Sequence, residues 1–291
     1  MNTTETSRHV LVTGSSTGIG RACAIHLAQT GFSVIAGVRR PSDGQQFQAL
    51  CKNLRSIQLD ITLGASIAAA VNQIAEITGE SGLAAIVNNA GIGVHGPVEF
   101  VSVEDWRRQF EVNVFGQVAV TQALLPMLRR HVAAQGHGSG RIVFIGSIAG
   151  RVTIPTLGPY SASKCAIAAV AAALRLELRD QGIFVSLLEP GAIQSEIWRK
   201  GDETAAAIPP DSAAGQLYGR QIDAVVRTSR KSAASAIGAD RVARLVHRCL
   251  TARRPPIHKT VGRDAMSAVI VKWLLPEKWF DKILREALKI R

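Results

Sequence analysis

The chain has 291 residues, 47% of them hydrophobic and 19% charged. That balance excludes a disordered protein and gives enough length for a substantial core in one large domain or two small ones. The formal charge of +12 is uneven: residues 1–226 carry 18 Lys and Arg against 17 Asp and Glu, whereas residues 227–291 carry 16 against 5. The basicity therefore belongs to the C-terminal tail, and with no nucleic-acid motif or aromatic stacking platform beside it, nucleic acid is not expected as a partner. Cys23, Cys51, Cys165 and Cys249 are widely spaced with no C-x-x-C, and seven scattered histidines offer no ligand spacing. We read the thiols as reduced packing residues of a cytoplasmic protein without a metal site. The opening "MNTTETSRHV" lacks the apolar core of a signal peptide, and the longest uncharged run, 81–98, is broken by Gly, Asn and Pro. No transmembrane helix is expected.

Apolar runs of strand length come first. "HVLVTG" (9–14) reads as a buried strand ending in a glycine turn, with a helix following through Ala28. Further strands are expected at 33–38 ("SVIAGV"), 54–59, 83–89, 141–147 and 183–190, with long helices at about 103–130 and 159–181. Continuous apolar strands alternating with helices predict a parallel sheet covered on both faces, wound right-handedly in both directions. Residues 192–235, rich in Ala, Gly, Ser and Pro with Trp198 and Tyr218 embedded, read as a lid within a domain spanning 1–262. Residues 263–291 read as a basic extension of two amphipathic helices broken at Pro276. Met266, Val269, Ile270, Trp273 and Leu274 follow helical spacing, as do Phe280, Ile283, Leu284, Ala287 and Leu288. Such helices suit either an anionic membrane surface or packing against the domain or a second subunit.

The loop "TGSSTGIG" (13–20) joins the first strand to its helix. Gly14 allows the tight turn, Gly18 lets a pyrophosphate approach the backbone and Gly20 brings helix and strand close, while the helix N-terminus points N–H groups at the anion. Ser16 and Ile19 belong to the same cofactor-binding set. Asp60 in "QLDIT" either accepts from an adenine amino group or caps the next helix. "NNAG" (88–91) ends the fourth strand, where Asn89 can fix neighbouring backbone and Gly91 admits a nucleotide. The second strand ends "GVRR" without the acid that would take a ribose 2′-hydroxyl, and Arg39 can clamp a 2′-phosphate instead. NADP(H) is thus preferred, with NAD(H) the alternative; Thr17, just before Gly18, adds no second basic group and speaks against that preference.

"TGSSTGIG", "NNAG", "IGS" and "YSASK", in this order and spacing, resemble the short-chain dehydrogenase/reductase family over about residues 8–200. The resemblance implies a single doubly wound Rossmann domain, an α/β fold, and a catalytic set of Ser147, Tyr160, Lys164 and Asn113. Tyr160 would act as general acid or base, its pKa lowered by Lys164 one helical turn on. It further implies that Lys164 holds the nicotinamide ribose, that Ser147 binds the substrate oxygen, and that Asn113 holds a water completing a proton relay. "EPGAIQSEI" (189–197) resembles the family's P-G-x-x-x-T segment, placing Pro190, Gly191, the backbone of Ile193 and the hydroxyl of Ser195 beside the nicotinamide. "NVFG" and "LLEPGAI" resemble the retinol and 17β-hydroxysteroid dehydrogenase branch. Ile148, Val152, Ile154, Pro155 and Leu157, with Ile197, Trp198 and Tyr218 on the lid, are expected at the cleft mouth and favour a steroid, retinoid or long-chain carbonyl substrate. The family also implies a homo-oligomer paired through helices such as 103–130 and 159–181. Three rivals stand beside an NADP(H)-dependent oxidoreductase: an NAD-dependent alcohol dehydrogenase of the same family, a redox sensor that binds dinucleotide without turnover, and a membrane-surface adaptor.

Overall fold

The computed structural model describes residues 8–193, 201, 203–205, 207–234 and 236–290. Among these, seven strands form one parallel sheet in the order β3-β2-β1-β4-β5-β6-β7. The strands are β1 (His9–Thr13), β2 (Ser33–Val38), β3 (Leu54–Gln58), β4 (Ala85–Asn88), β5 (Gly140–Ile145), β6 (Ile183–Pro190) and β7 (His258–Val261). Six of them fall on the six apolar runs. The seventh, "HKTV", is a four-residue strand at the edge with two exposed side chains. Short, charged edge strands carry no hydrophobic alternation to detect, and the charges discourage pairing with another chain.

Both faces of the sheet are buried, and successive side chains of one strand divide between them. Val10 and Val12 join Leu27, Val34, Ala36, Val143, Val242 and Val246 on one side, beneath α1 (Gly18–Gln29) and α8 (Ala239–Thr251). Leu11 lies on the other with Ile35, Ile86, Ile142, Phe144, Leu124 and Ile167, beneath α3 (Gly64–Thr78), α5 (Gly116–Gln135) and α6 (Gly158–Glu177). A short turn of helix, α2 (Phe47–Leu50), leads into β3. Strand order reverses between β1 and β4, where Leu11 pairs Ile35 on one side and Ile86 on the other. The crevice at the carboxyl ends of these strands is the place an open α/β sheet offers a ligand.

The long helix expected at 103–130 is interrupted. α4 (Val103–Phe110), capped by Ser102 accepting from the Asp105 amide, runs into a π-helical stretch, Glu111–Phe115, before α5 begins. The π stretch sits where Asn113 meets the crevice, a common placement for such bulges.

The C-terminal helices α9 (Arg263–Leu274) and α10 (Glu277–Leu288) break at Pro276 as expected. The apolar face of α10 is not free: Leu284, Leu288 and Ile290 pack on Ala224 of α7 (Ala213–Ala234), and Phe280 is buried. For that helix, packing against the domain replaces the bilayer reading, because the chain's own apolar surface reaches it first. No helix among the described residues is long and apolar enough to cross a membrane.

Candidate active site

The glycine loop closes on itself through a small number of contacts. Gly14 has φ +64°, and a Cβ there would lie 2.7 Å from the Ala90 Cα. A Cβ at Gly20 would fall 2.2 Å from the Gly14 carbonyl oxygen and 2.4 Å from Asn89 Nδ2, closer than any real contact, so α1 starts this near β1 only because position 20 is glycine. Asn89 Nδ2 donates to the carbonyls of Thr13 (2.9 Å) and Gly14 (3.1 Å), and Thr13 Oγ1 accepts from the amides of Asn89 and Ala90. Gly18 also has positive φ, and Ser16 and Ile19 are half-buried along the turn. Asp60 does not cap α3, whose N-cap is Leu63: its carboxylate accepts from the amide and hydroxyl of Thr62 (3.0 and 2.7 Å) in an Asx turn three residues earlier.

At the end of β2, Arg40 pairs with Asp43 (3.1 Å). Arg39 is exposed and forms no ion pair among the described residues. A free guanidinium thus follows Gly37 and Val38, with no carboxylate in the acid's place. Pro190 ends β6; Gly191 donates its amide to Val261, and a Cβ on it would meet Ala265 of α9 at 2.8 Å. Ile193 is buried in the core, bridged to Ile237. Ser195, Ile197 and Trp198 lie outside the described residues.

Ser147, Tyr160, Lys164 and Asn113 converge at the carboxyl edge, none more than 6% exposed. Ser147 follows β5 and caps the turn Ile148–Gly150, its Oγ accepting from the Ala149 amide (3.1 Å). Tyr160 sits in the first turn of α6, which starts at Gly158 and Pro159, and the Ser147 side chain is close enough to its hydroxyl to favour the phenolate. Lys164 lies one turn on. Its Nζ donates to the Ile145 carbonyl (2.9 Å) and stands 5.7 Å from the Tyr160 ring centroid.

The electrostatics correct one expectation. In the cofactor-free protein, burial pushes the Tyr160 hydroxyl above its ordinary 10, and the Ser147 side chain pulls only partly back. The lysine does not set the balance, because it is aimed at a carbonyl and is itself buried, its pKa brought down to about 8. The phenol is therefore held protonated.

The Asn113 side chain braces the loop at Ile92. Its Oδ1 accepts from the Ile92 amide (2.8 Å), and its Nδ2 donates to the Ile92 carbonyl and to Ser163 Oγ (3.0 Å each). Ser163 Oγ donates to the Tyr160 carbonyl (2.7 Å). Gln109, one α-helical turn before Asn113, repeats the pattern by accepting from the Val94 amide and donating to Ile92. Sequence reasoning does not single out Thr13, Gln109 or Ser163; only Thr13, the polar end of the apolar run "HVLVT", carries a signal, since Gln109 and Ser163 stand among other polar residues.

Around the mouth, Ile148, Val152 and Ile154 are half-buried, Pro155 is exposed, and Leu157 belongs to the core at 1% exposure. Tyr218, on α7, donates its hydroxyl to Glu99 (2.7 Å) and sets its ring edge-on to Phe100. A parallel doubly wound sheet with a glycine-rich first turn and a Ser–Tyr–Lys set at its carboxyl edge defines a dinucleotide-dependent dehydrogenase or reductase.

The comparisons agree. Residues 8–206 match the model of the short chain dehydrogenase family, and the chain belongs to it. It is 34% identical over 283 residues to an NADPH-dependent 3-dehydrocapnine reductase of Ornithobacterium rhinotracheale, covering 97% of this chain and 98% of that one. It is 30% identical over 286 residues to retinol dehydrogenase 5 of Mus musculus, covering 94% and 87%. Among solved structures, a short-chain dehydrogenase from Streptomyces avermitilis superimposes with a TM-score of 0.75 at 26% identity, over 96% of this chain and 98% of that one. The protein is an NAD(P)-dependent oxidoreductase of the type acting on CH–OH groups.

The buried ammonium carries a stability signature. Between about 8, its folded pKa, and the ordinary 10.5, the unfolded chain binds the proton that the folded chain has lost. Stability from this group therefore rises with pH across that window, and the full penalty applies below about 8. That penalty is on the order of 3 kcal/mol. In cofactor-free protein, Lys164→Met is expected to raise urea stability at neutral pH, with the gain over wild type shrinking as pH rises through the window. A gain independent of pH would contradict this assignment.

Proposed function

We propose that the chain is an NADP(H)-dependent reductase of lipophilic ketones or aldehydes, working reversibly on the corresponding alcohols. The observation that carries the reading is the convergence of the buried Tyr160, Ser147 and Lys164 side chains beside the crevice at the carboxyl ends of the strands. The glycine loop, with its helix N-terminus and Asn89-braced turn, fits a pyrophosphate, and the unpaired Arg39 fits a 2′-phosphate. When bound, the nicotinamide supplies or accepts the hydride at its C4.

The residues divide the remaining work. Ser147 Oγ donates to the substrate carbonyl oxygen and orients it, and is placed to stabilise the negative charge that grows there. Tyr160 gives its proton to the same oxygen as the C–H bond forms, leaving an alcohol and a phenolate. The Lys164 ammonium, 5.7 Å from the ring centroid, offsets the phenolate charge at the moment it appears. With the phenol held protonated, the site is loaded for reduction. The half-buried Ile148, Val152 and Ile154 supply an apolar wall and suit a steroid, retinoid or long-chain carbonyl compound. Relatives named as a dehydrocapnine reductase and a retinol dehydrogenase support that substrate class.

The same reading extends to a membrane surface. Met266, Ile270, Trp273 and Leu274 lie along one stripe of α9 and are 42%, 49%, 83% and 63% exposed. Basic residues dominate this end of the chain, and an exposed apolar stripe with lysines nearby suits an anionic bilayer.

Three measurements test these points. Tyr160→Phe is expected to cut turnover of ketones by about 100-fold or more while NADPH still binds; wild-type protein that binds NADPH tightly yet turns over no carbonyl would instead favour the redox sensor. Arg39→Ala should weaken NADPH by about tenfold or more and leave NADH nearly unchanged; equal losses for both would remove the 2′-phosphate role. Wild type should co-sediment with anionic vesicles more than with neutral ones, and Trp273→Glu should abolish the difference. Equal partitioning onto both vesicle types would end the membrane reading.

A further inference from the structure

Glu189 is the one carboxylate among the described residues that is fully buried, at 1% exposure. It ends β6 just before Pro190 and Gly191, and the reaction outlined above does not use it. Two basic side chains reach it from different segments. His258 Nε2 of β7 lies 2.6 Å from its Oε2, off the line of a ring N–H hydrogen bond, and Arg151 Nη1 lies 3.8 Å away. Both partners are partly exposed while the carboxylate is not, so both approach the acid from the solvent side.

Arg151 follows the turn that carries Ser147. Its amide closes that turn on Ile148 (2.8 Å), and the Gly150 amide closes on Ser147 (3.0 Å). The turn is wedged. A Cβ at Gly150 would lie 2.9 Å from the backbone of Lys164, and one at Gly146 would lie 3.4 Å from Glu189 Cγ. One side of the Ser147 turn therefore lies against α6 and the other against β6, where Leu187 Cδ1 (3.0 Å) and the Leu188 carbonyl oxygen (3.3 Å) would meet that Gly146 Cβ just ahead of Glu189. The C-terminal segment joins the same assembly, because Lys272 Nζ of α9 donates to the Arg151 carbonyl (2.6 Å).

We propose that Glu189 is a positioning residue: through Arg151 it holds the Ser147 turn against β6 and so keeps the Ser147 hydroxyl on that of Tyr160. The proposal rests on the catalytic reading only for its consequence in turnover; the geometry it asserts can be read without substrate. If the carboxylate loses its charge, the guanidinium loses its anchor, and Ser147 moves relative to a tyrosine fixed in α6. A buried ion pair of purely structural worth would instead lower stability and leave the Ser147–Tyr160 contact as it is.

The chain has two tyrosines, which makes a direct test practical. In a Tyr218→Phe background, isotopically labelled tyrosine gives a single ring Cζ NMR resonance, from Tyr160. Ser147→Ala in that background marks the position of the resonance without the Ser147 hydroxyl. Glu189→Gln is expected to move the resonance most of the way to that position, and Arg151→Met, a change at a partly exposed side chain, to move it in the same direction. In the enzyme, each should lower kcat on a ketone about tenfold or more with the Kd for NADPH within about twofold, and the double variant should lose no more than Glu189→Gln alone. A resonance unmoved in a folded Glu189→Gln or Arg151→Met protein overturns the proposal, as does multiplicative loss in the double variant. If wild type turns over no carbonyl but the resonance moves as described, the catalytic reading fails and the positioning role of Glu189 stands.

Discussion

The active edge of this protein depends on keeping an ammonium group in an almost dry place. Lys164 is 4% exposed, and a lysine buried so deeply favours its neutral form unless something compensates. The Ile145 carbonyl at 2.9 Å offers one partner, and the Tyr160 ring centroid lies 5.7 Å away. The folded protein thus carries an unfavourable charge at neutral pH that a bound ribose and a developing phenolate would relieve. Storing instability at a functional site and compensating for it in the core is a familiar trade. Here the compensation is a sheet of seven parallel strands whose apolar side chains are buried on both faces.

Much of the remaining polar structure holds backbone in place so that this edge cannot relax. Asn89 and Thr13 lock the first glycine turn to the end of β4. Asn113 and Gln109, one turn apart, lock residues 92–94, and Ser163 links that network to the backbone of Tyr160. Buried amides that use both ends are worth keeping, since a half-satisfied one costs more than it returns. The contacts explain why the loops that would touch cofactor and substrate can be short, irregular and still ordered.

The sheet was legible in the sequence because its strands are buried on both sides and read as unbroken apolar runs. The glycine loop and the Tyr160–Lys164 pair were legible because few residue types can stand at those positions. Three things were hidden. β7 has too few apolar residues to announce itself. The pKa direction of Tyr160 depends on how completely α6 is covered and on where the Lys164 ammonium points, and neither is a property of an i,i+4 spacing. The face of α10 looks the same from its periodicity whether it meets lipid or protein; the outcome was decided by Ala224, far away in sequence, being at hand. Asn113 was found by resemblance, yet the sequence did not disclose that its amide would be consumed by Ile92.

The widened turn at Glu111–Phe115 reaches further than the residue it presents. A π turn holds one residue more than an α turn, so it introduces a phase slip of about 100° between the helices on either side. The inward stripe of α5, with Val120, Leu124 and Leu128 in the core, is therefore out of step with α4, whose buried residue is Gln109. Excising a single residue there would restore an uninterrupted α-helix and, in doing so, rotate every core-facing side chain of one half away from the sheet. The wider turn is thus a setting of rotational register for twenty residues of helix, which makes it intolerant of length change even where it would tolerate a change of side chain.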